Sequence, residues 1–456
     1  MTEVLEKTLV VDGITPVGAY ARLRQDAGLG SFLLESVIPG ERWGRYSILG
    51  YRPKRELSLR GDAEQDPFAQ LDRALPSNEA RSTSVAARFA RSHVGAVLYE
   101  AIGFTTKVPL HADAEGLPIA RFVSDATVIV FDNLTHTATV AALDEGELER
   151  AEAHLAAARA LPPMVPPDPT RLPAQVDVSC SDADYERIVA RAKEYIVAGD
   201  AFQIVAARTF SVPAANLDPF DVYRALRVLS PAPYMYLLEL APTSDAPPLV
   251  VAGASPETLV RLENGTVTLR PIAGTRRRGR NAEEDAELAR EMLADPKECA
   301  EHVMLIDLAR NDVGRIATTG SVQLTKRMQV ERFSHVMHIV SEVVGTLAER
   351  RNPWDVLRAT FPAGTLTGAP KVRAMQILHE LEGRPRGIYG GALGYVTRDG
   401  DMDFAIAIRT AVQSGDRFEV SAGAGLVADS VPALEAKETR NKARAALAAL
   451  AAAGAK

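Results

Sequence analysis

Apolar and polar positions alternate differently in the two parts of the chain. Over residues 1–160, short apolar runs bounded by turn residues predict strands at 31–36, 45–50, 94–99 and 126–132, with a Pro-Gly-Glu turn at 39–41. An acidic, Ala-rich helix is expected from Glu147, just after Gly146, and it runs into residues 161–169, which hold five prolines. Such a stretch excludes helix and central strand. It predicts an N-terminal portion, residues 1–165, and a linker at 166–180.

The second portion, residues 181–445, opens with a helix at 181–198 whose Tyr185, Ile188, Val189, Ala192 and Ile196 keep helical spacing. Strands are expected at 202–210, 234–240 and 249–252, then a hairpin turning at Asn264-Gly265. Asp295 and Pro296 have the chemistry of an N-cap and a first helical residue. A segment at 336–344, a helix after Asn352-Pro353-Trp354 and a Gly/Thr-rich loop at 362–370 follow. Strands at 390–396, 404–412 and 418–422 come next, and a helix starting near Pro432 fades into an Ala-rich tail, 446–456.

Composition narrows the class. With 456 residues, 46% of them hydrophobic, the chain can bury one large core or two ordinary ones. A formal net charge of -7 without a long basic run argues against a nucleic-acid partner. The first residues lack a basic region followed by an apolar core, and no run approaches the roughly 20 apolar residues of a membrane span, so a cytoplasmic protein is expected. Cys180 and Cys299 cannot form a disulfide framework or a structural zinc site.

Two E-x-x-E pairs carry the candidate chemistry. Glu298 and Glu301 lie on one face of the helix opened by Asp295; Glu435 and Glu438 lie on one face of the last helix, with Lys442 one turn on. Glu298 also fits a D-x-x-E capping box, and Glu435 and Glu438 also fit a solvated face paired with Lys442. Four clustered glutamates would repel one another unless a hard cation sat among them.

Six ordered motifs bear on this choice: residues 270–279 (R-P-I-A-G-T-R-R-R-G), 295–312, 334–343 (S-H-V-M-H-I-V-S-E-V), 361–371 (F-P-A-G-T-L-T-G-A-P-K), 386–395 (R-G-I-Y-G-G-A-L-G-Y) and 422–430 (A-G-A-G-L-V-A-D-S). Together they resemble the chorismate-utilising enzymes, in particular their anthranilate synthase large-subunit branch, over roughly residues 180–445. The resemblance implies an α+β fold of antiparallel sheets flanked by helices, with the active site between the large sheets and a smaller N-terminal regulatory portion. It implies Mg²⁺, with Glu301 and Glu438 as direct ligands and Glu298 and Glu435 acting through water.

For the substrate, a dicarboxylate, Arg409 offers a planar fork and Lys442 a point charge. Gly274, Thr275, Gly423, Ala424 and Gly425 bring backbone close to an anion, with Thr365 and Tyr389 as further binding groups. Glu257 is expected as the general acid that protonates the departing ring oxygen. His338 resembles the family histidine associated with loss of pyruvate, and His335 is read as structural.

Two positions distinguish branches of the family. Water-activating members carry a lysine where this chain has Gln203, and aminodeoxychorismate synthases commonly carry a nucleophilic lysine where it has Ala273. Direct attack by ammonia, then elimination of pyruvate to give anthranilate, is the expected route. Neither cysteine has the setting of a glutaminase nucleophile, so a separate glutamine amidotransferase subunit, a hetero-oligomer, and free ammonium as a poorer substitute are implied. Ser36, with Pro233, Tyr234 and Met235, resembles a tryptophan feedback site; the alternative is that these are strand ends packing one portion on the other. Two other functions stay open: an aminodeoxychorismate synthase component I, and a non-catalytic tryptophan-sensing subunit.

Overall fold

The computed structural model describes residues 3–36, 42–61, 65–82, 84–109, 111, 118–158, 160–333 and 336–455. The turn expected at 39–41 and His335 lie outside the described residues. The strands pair antiparallel into one sheet of twelve strands and one of ten. Helices cover the outer face of each, giving the α+β architecture expected.

Strands from both sides of the proline-rich stretch hydrogen-bond into the same sheets. In the larger sheet Gly30–Glu35 pairs with Tyr234–Leu240, setting Leu33 opposite Leu237. In the smaller, His93–Val97 pairs with Ala392–Val396, setting Gly95 opposite Gly394. Period-two alternation then sorts neighbouring residues into different cores. Phe32 points between the sheets with Val94, Tyr236 and Leu393, while Leu33 points outward with Tyr20, Tyr223 and Leu450 from covering helices. On the far side of the smaller sheet, Trp354, Leu357, Ile306 and Val313 cover Val260, Val343 and Phe404.

Two differences from the sequence reading have physical causes. The single strand expected at 404–412 is two, Met402–Ile406 in the smaller sheet and Thr410–Ser414 in the larger. Between them Arg409 has a φ of 51°, the left-handed region, which turns the chain from one sheet to the other. Its neighbour switches at the same level: Leu249–Ser255 lies in the larger sheet, Thr258–Glu263 in the smaller, and Pro256, which has no N–H to give a ladder, stands between. The paired crossovers are tied by Ile406 N–H donating to the Glu257 carbonyl (3.0 Å) and Ala254 N–H to that of Arg409 (3.3 Å).

The C-terminal helix does not fade either. Pro432–Ala453 is continuous, with Ala446, Leu447, Ala449, Leu450 and Ala453 buried against helix Pro219–Leu229 and the outer face of the larger sheet. Alanine gives the closest approach of backbone to neighbour, so a stretch that looks featureless in sequence is a packing face.

Candidate active site

The site forms at the seam where strands change sheets. Glu257 follows Pro256 on one crossover and Arg409 sits on the other. Burial raises the Glu257 pKa to about 7; the Thr365 hydroxyl, donating to Oε1 at 2.9 Å, and then Lys442 and Arg409, pull it back. Burial lowers the Arg409 pKa, partly offset by Glu257, and no hydrogen bond or ion pair from a described residue engages its guanidinium. A guanidinium held on strained backbone, desolvated and without a protein partner, is prepared for an anionic ligand.

His338 lies on the strand Val336–Thr346, opposite Thr275 in register. The ladder bulges between Ala273 and Thr275, where Gly274 has a φ of 62° that a Cβ would strain. The bulge turns the Gly274 carbonyl to His338 Nδ1 at 2.9 Å, with the Thr275 hydroxyl at 3.1 Å. A carbonyl only accepts, so this partner assigns the proton of the neutral ring to Nδ1 and leaves Nε2 as a base. Burial lowers the His338 pKa and keeps the ring neutral.

The helix Pro296–Gly314 begins as its residues foretell: Asp295 accepts from the Lys297 and Glu298 N–H groups at 2.9 and 3.3 Å. Glu298 itself turns to Arg276, 2.9 Å away. Glu301 accepts from the Gln203 side-chain amide at 2.9 Å. Burial raises the Glu301 pKa, and the charges of Glu298 and Glu438 raise it further. Glu435, on the last helix, is likewise raised by burial and by Glu438, with Lys297 acting against this. The first turns of two helices that cover different sheets therefore share one electrostatic neighbourhood. Among the described residues no three acidic, His or Cys side chains converge into a metal cage. The donor set suits a hard cation that takes its remaining ligands from water or substrate carboxylate.

The remaining expected residues divide. Lys442 pairs with Glu438 at 2.8 Å and donates to the Gly423 carbonyl at 2.9 Å, so the surface pairing considered for this helix is present, joined to the glycine strand. A Cβ on Gly423 would fall 2.7 Å from the Tyr389 hydroxyl, and one on Gly425 would fall 3.0 Å from the Gln203 amide nitrogen. Ala424, between them, is buried opposite Ala206. Ser36 follows Glu35, which pairs with Met235, and its hydroxyl is buried without a partner among the described residues. Tyr234 points to the other face, bonding Thr258 and Asp403 at 2.8 and 3.0 Å, and with Pro233 it lines a cavity of about 610 Å³.

Sequence reasoning missed two groups. Arg276 also reaches Asp295 (3.2 Å) and Glu291 (3.1 Å), so it anchors the start of the acidic helix; the arginine run after Thr275 was the available signal. Gln203 was read only for the lysine it is not, whereas it joins the glycine strand to Glu301.

Comparison with known proteins bears on what this seam does. A family model described as chorismate binding enzyme matches residues 31–448. A protein of Pseudomonas putida named anthranilate synthase component 1 is 43% identical over 473 residues, 97% of this chain and 94% of the relative. The crystal structure of anthranilate synthase component I from Streptococcus pneumoniae TIGR4 superposes with a TM-score of 0.77 at 36% identity, covering 96% of this chain and 98% of that one. The menaquinone-specific isochorismate synthase of Escherichia coli shares the fold at a TM-score of 0.75 and 18% identity, covering 98% of this chain and 94% of that one.

Arg409 offers a test that needs no ligand. Glycine relieves the left-handed backbone, so Arg409→Gly should leave stability unchanged or raise it by up to about 1 kcal/mol in urea unfolding. A loss of more than about 1 kcal/mol would mean that the guanidinium is a structural tie.

Proposed function

The chain belongs to the chorismate binding enzyme family, and on that footing we propose that it converts chorismate and ammonia to anthranilate, pyruvate and water as the large subunit of an anthranilate synthase. One observation carries the proposal: a proton donor near pH 7, a desolvated guanidinium with no ion-pair partner among the described residues and two acidic helix faces share one seam. Relatives named anthranilate synthase component 1 across nearly the whole chain support it.

Arg409 and Lys442 take the substrate carboxylates, with backbone at Gly274, Thr275 and Gly423–Gly425 and the Tyr389 hydroxyl close by. Glu301 and Glu438 would hold Mg²⁺ directly and Glu298 and Glu435 through water. When bound, the cation supplies charge neutralisation for a substrate carboxylate and for the glutamates themselves. Thr365 occupies Oε1 of Glu257, leaving Oε2 to carry the proton that the ring hydroxyl takes as it departs. Ammonia attacks the ring carbon next to the carboxylate-bearing carbon. His338, through Nε2, takes the ring proton as pyruvate leaves. With Gln203 and Ala273 in place, the chain has no lysine at either position from which the family's other branches activate water or attack the ring.

Ammonia comes from a glutamine amidotransferase partner, since Cys180 and Cys299 lack a nucleophile's setting. Tryptophan regulates at the strand end where Ser36 meets the Met235 strand, and the Ser36 hydroxyl, buried without a partner among the described residues, supports a ligand there. In the proposed cell context the protein works in the cytoplasm; among the described residues no helix is long and apolar enough to cross a membrane.

Chorismate, Mg²⁺ and ammonium at alkaline pH should yield fluorescent anthranilate and equimolar pyruvate, and Glu301→Gln should lower kcat/KM by about a hundredfold or more without unfolding the chain. A stable aminated chorismate with no pyruvate would establish the aminodeoxychorismate reading instead, and tryptophan binding without turnover a sensing subunit.

The pH profile follows from Glu257. Its acid form is the active one, so kcat/KM for chorismate, at constant free ammonia, should fall as pH rises through about 7. Thr365 stabilises the ionised form; Thr365→Val should therefore move this descending limb to higher pH. An unmoved or lowered limb would remove Glu257 from the acid's role.

A further inference from the structure

The ion pair of Arg386 with Glu382 is buried, the two side chains being 4% and 6% exposed. Glu382 ends the helix Lys371–Glu382, Gly383 closes it in the left-handed region with a φ of 64°, and the chain returns to lay Arg386 back on Glu382. All three guanidinium nitrogens are engaged. Nε and Nη2 donate to Glu382 at 2.8 and 2.6 Å, Nη1 to the Leu366 carbonyl at 2.6 Å and Nη2 also to the Val205 carbonyl at 2.7 Å. Glu382 in turn accepts the Ala207 N–H at 2.8 Å. Leu366 follows Thr365, which holds Glu257, and Val205 lies two residues beyond Gln203, which reaches Glu301. The guanidinium also stands 4.7 Å from the ring of Tyr99 and 5.6 Å from that of Tyr389, the residue beside Gly423. The turn is held from the N-terminal portion, where the Glu100 carboxylate accepts the Arg386 and Gly387 N–H groups at 2.7 and 3.1 Å.

A buried ion pair gains little stability over apolar side chains of the same volume. What this one adds is a rigid span between elements far apart in sequence. We propose, on the amination reading above, that Arg386 is a positioning residue: its fork sets the separation between the loop that carries Thr365, the partner of Glu257, and the strand that carries Gln203, the partner of Glu301. It acts through these partners and takes no part in the proposed chemistry itself. The acid and the cation work on two ends of one small substrate, so a displacement of either support by about an ångström lowers the rate by up to about a hundredfold. Two carbonyls bound from one planar group keep their separation. A lysine ammonium would keep the charge against Glu382 and leave that separation free. Through Tyr99 and Glu100 the N-terminal portion then contributes to the geometry of the cleft.

The test measures kcat/KM for chorismate across pH, at constant free ammonia, in Arg386→Lys, Thr365→Val and the double variant, with urea unfolding to follow folding. Arg386→Lys should lower kcat/KM by about tenfold or more. It should also move the descending limb to higher pH, as Thr365→Val does, because a displaced Thr365 hydroxyl no longer stabilises ionised Glu257. The double variant should keep the limb of Thr365→Val, since both changes remove one interaction. A lowered rate with the limb in its wild-type place would overturn the inference and leave Arg386 a structural tie. Limb shifts that add, or a rate within about twofold of wild type, would overturn it too. Should Arg386→Lys not fold, Glu382→Gln, which removes the charge that draws the fork back, is read on the same limb and by the same comparison with Thr365→Val. Absence of anthranilate from wild type would instead defeat the amination reading.

Discussion

Carboxylates from two helices, held close enough to raise one another's proton affinity, are the constraint on which the site depends. Glu301 is raised by burial and then by Glu298 and Glu438, and Glu435 by burial and then by Glu438. Left alone this arrangement is unfavourable. The protein tempers it with Arg276, Gln203 and Lys442, and among the described residues no three acidic, His or Cys side chains converge into a cage. On the proposed reading the cleft is completed by what binds it, a hard cation and a dicarboxylate that would each supply what the other lacks.

The sheets exist in a form that makes this meeting possible. Each acidic helix covers the outside of a different sheet, and the two come together only where strands cross from one sheet to the other. The same crossovers place Glu257 and Arg409, hydrogen-bonded to each other's strands through their backbones. A left-handed arginine and a proline are poor strand residues for the same reason that they serve here: each ends a ladder and re-aims the chain. The position of Glu257, the proposed general acid, and the left-handed backbone at Arg409, the proposed carboxylate-binding residue, are therefore one architectural event.

Much of the local structure that carries the candidate site was legible in the sequence because short motifs specify it. The Asp295 cap, the two glutamate pairs and the Asn352 cap depend on neighbours within one helical turn, and the structure has the elements where the residues indicate. The strand at 404–412 was misread because its apolar pattern runs unbroken through Ala407 and Ile408, and a switch of sheets leaves no mark in hydrophobicity. The Ala-rich end was read as a fading tail because alanine has little hydrophobic signal, although it packs closest. Gln203 and Arg276 act across long sequence separations, which no local pattern reports.

Calorimetric titration of Mg²⁺ into the chain with chorismate present and every amine absent addresses the central claim directly. A single ion shared between the two helices predicts one Mg²⁺ per chain, weakened in both Glu301→Gln and Glu438→Gln, with the double variant little worse than either. Binding that survives both substitutions, or losses that add as for two separate sites, would contradict it.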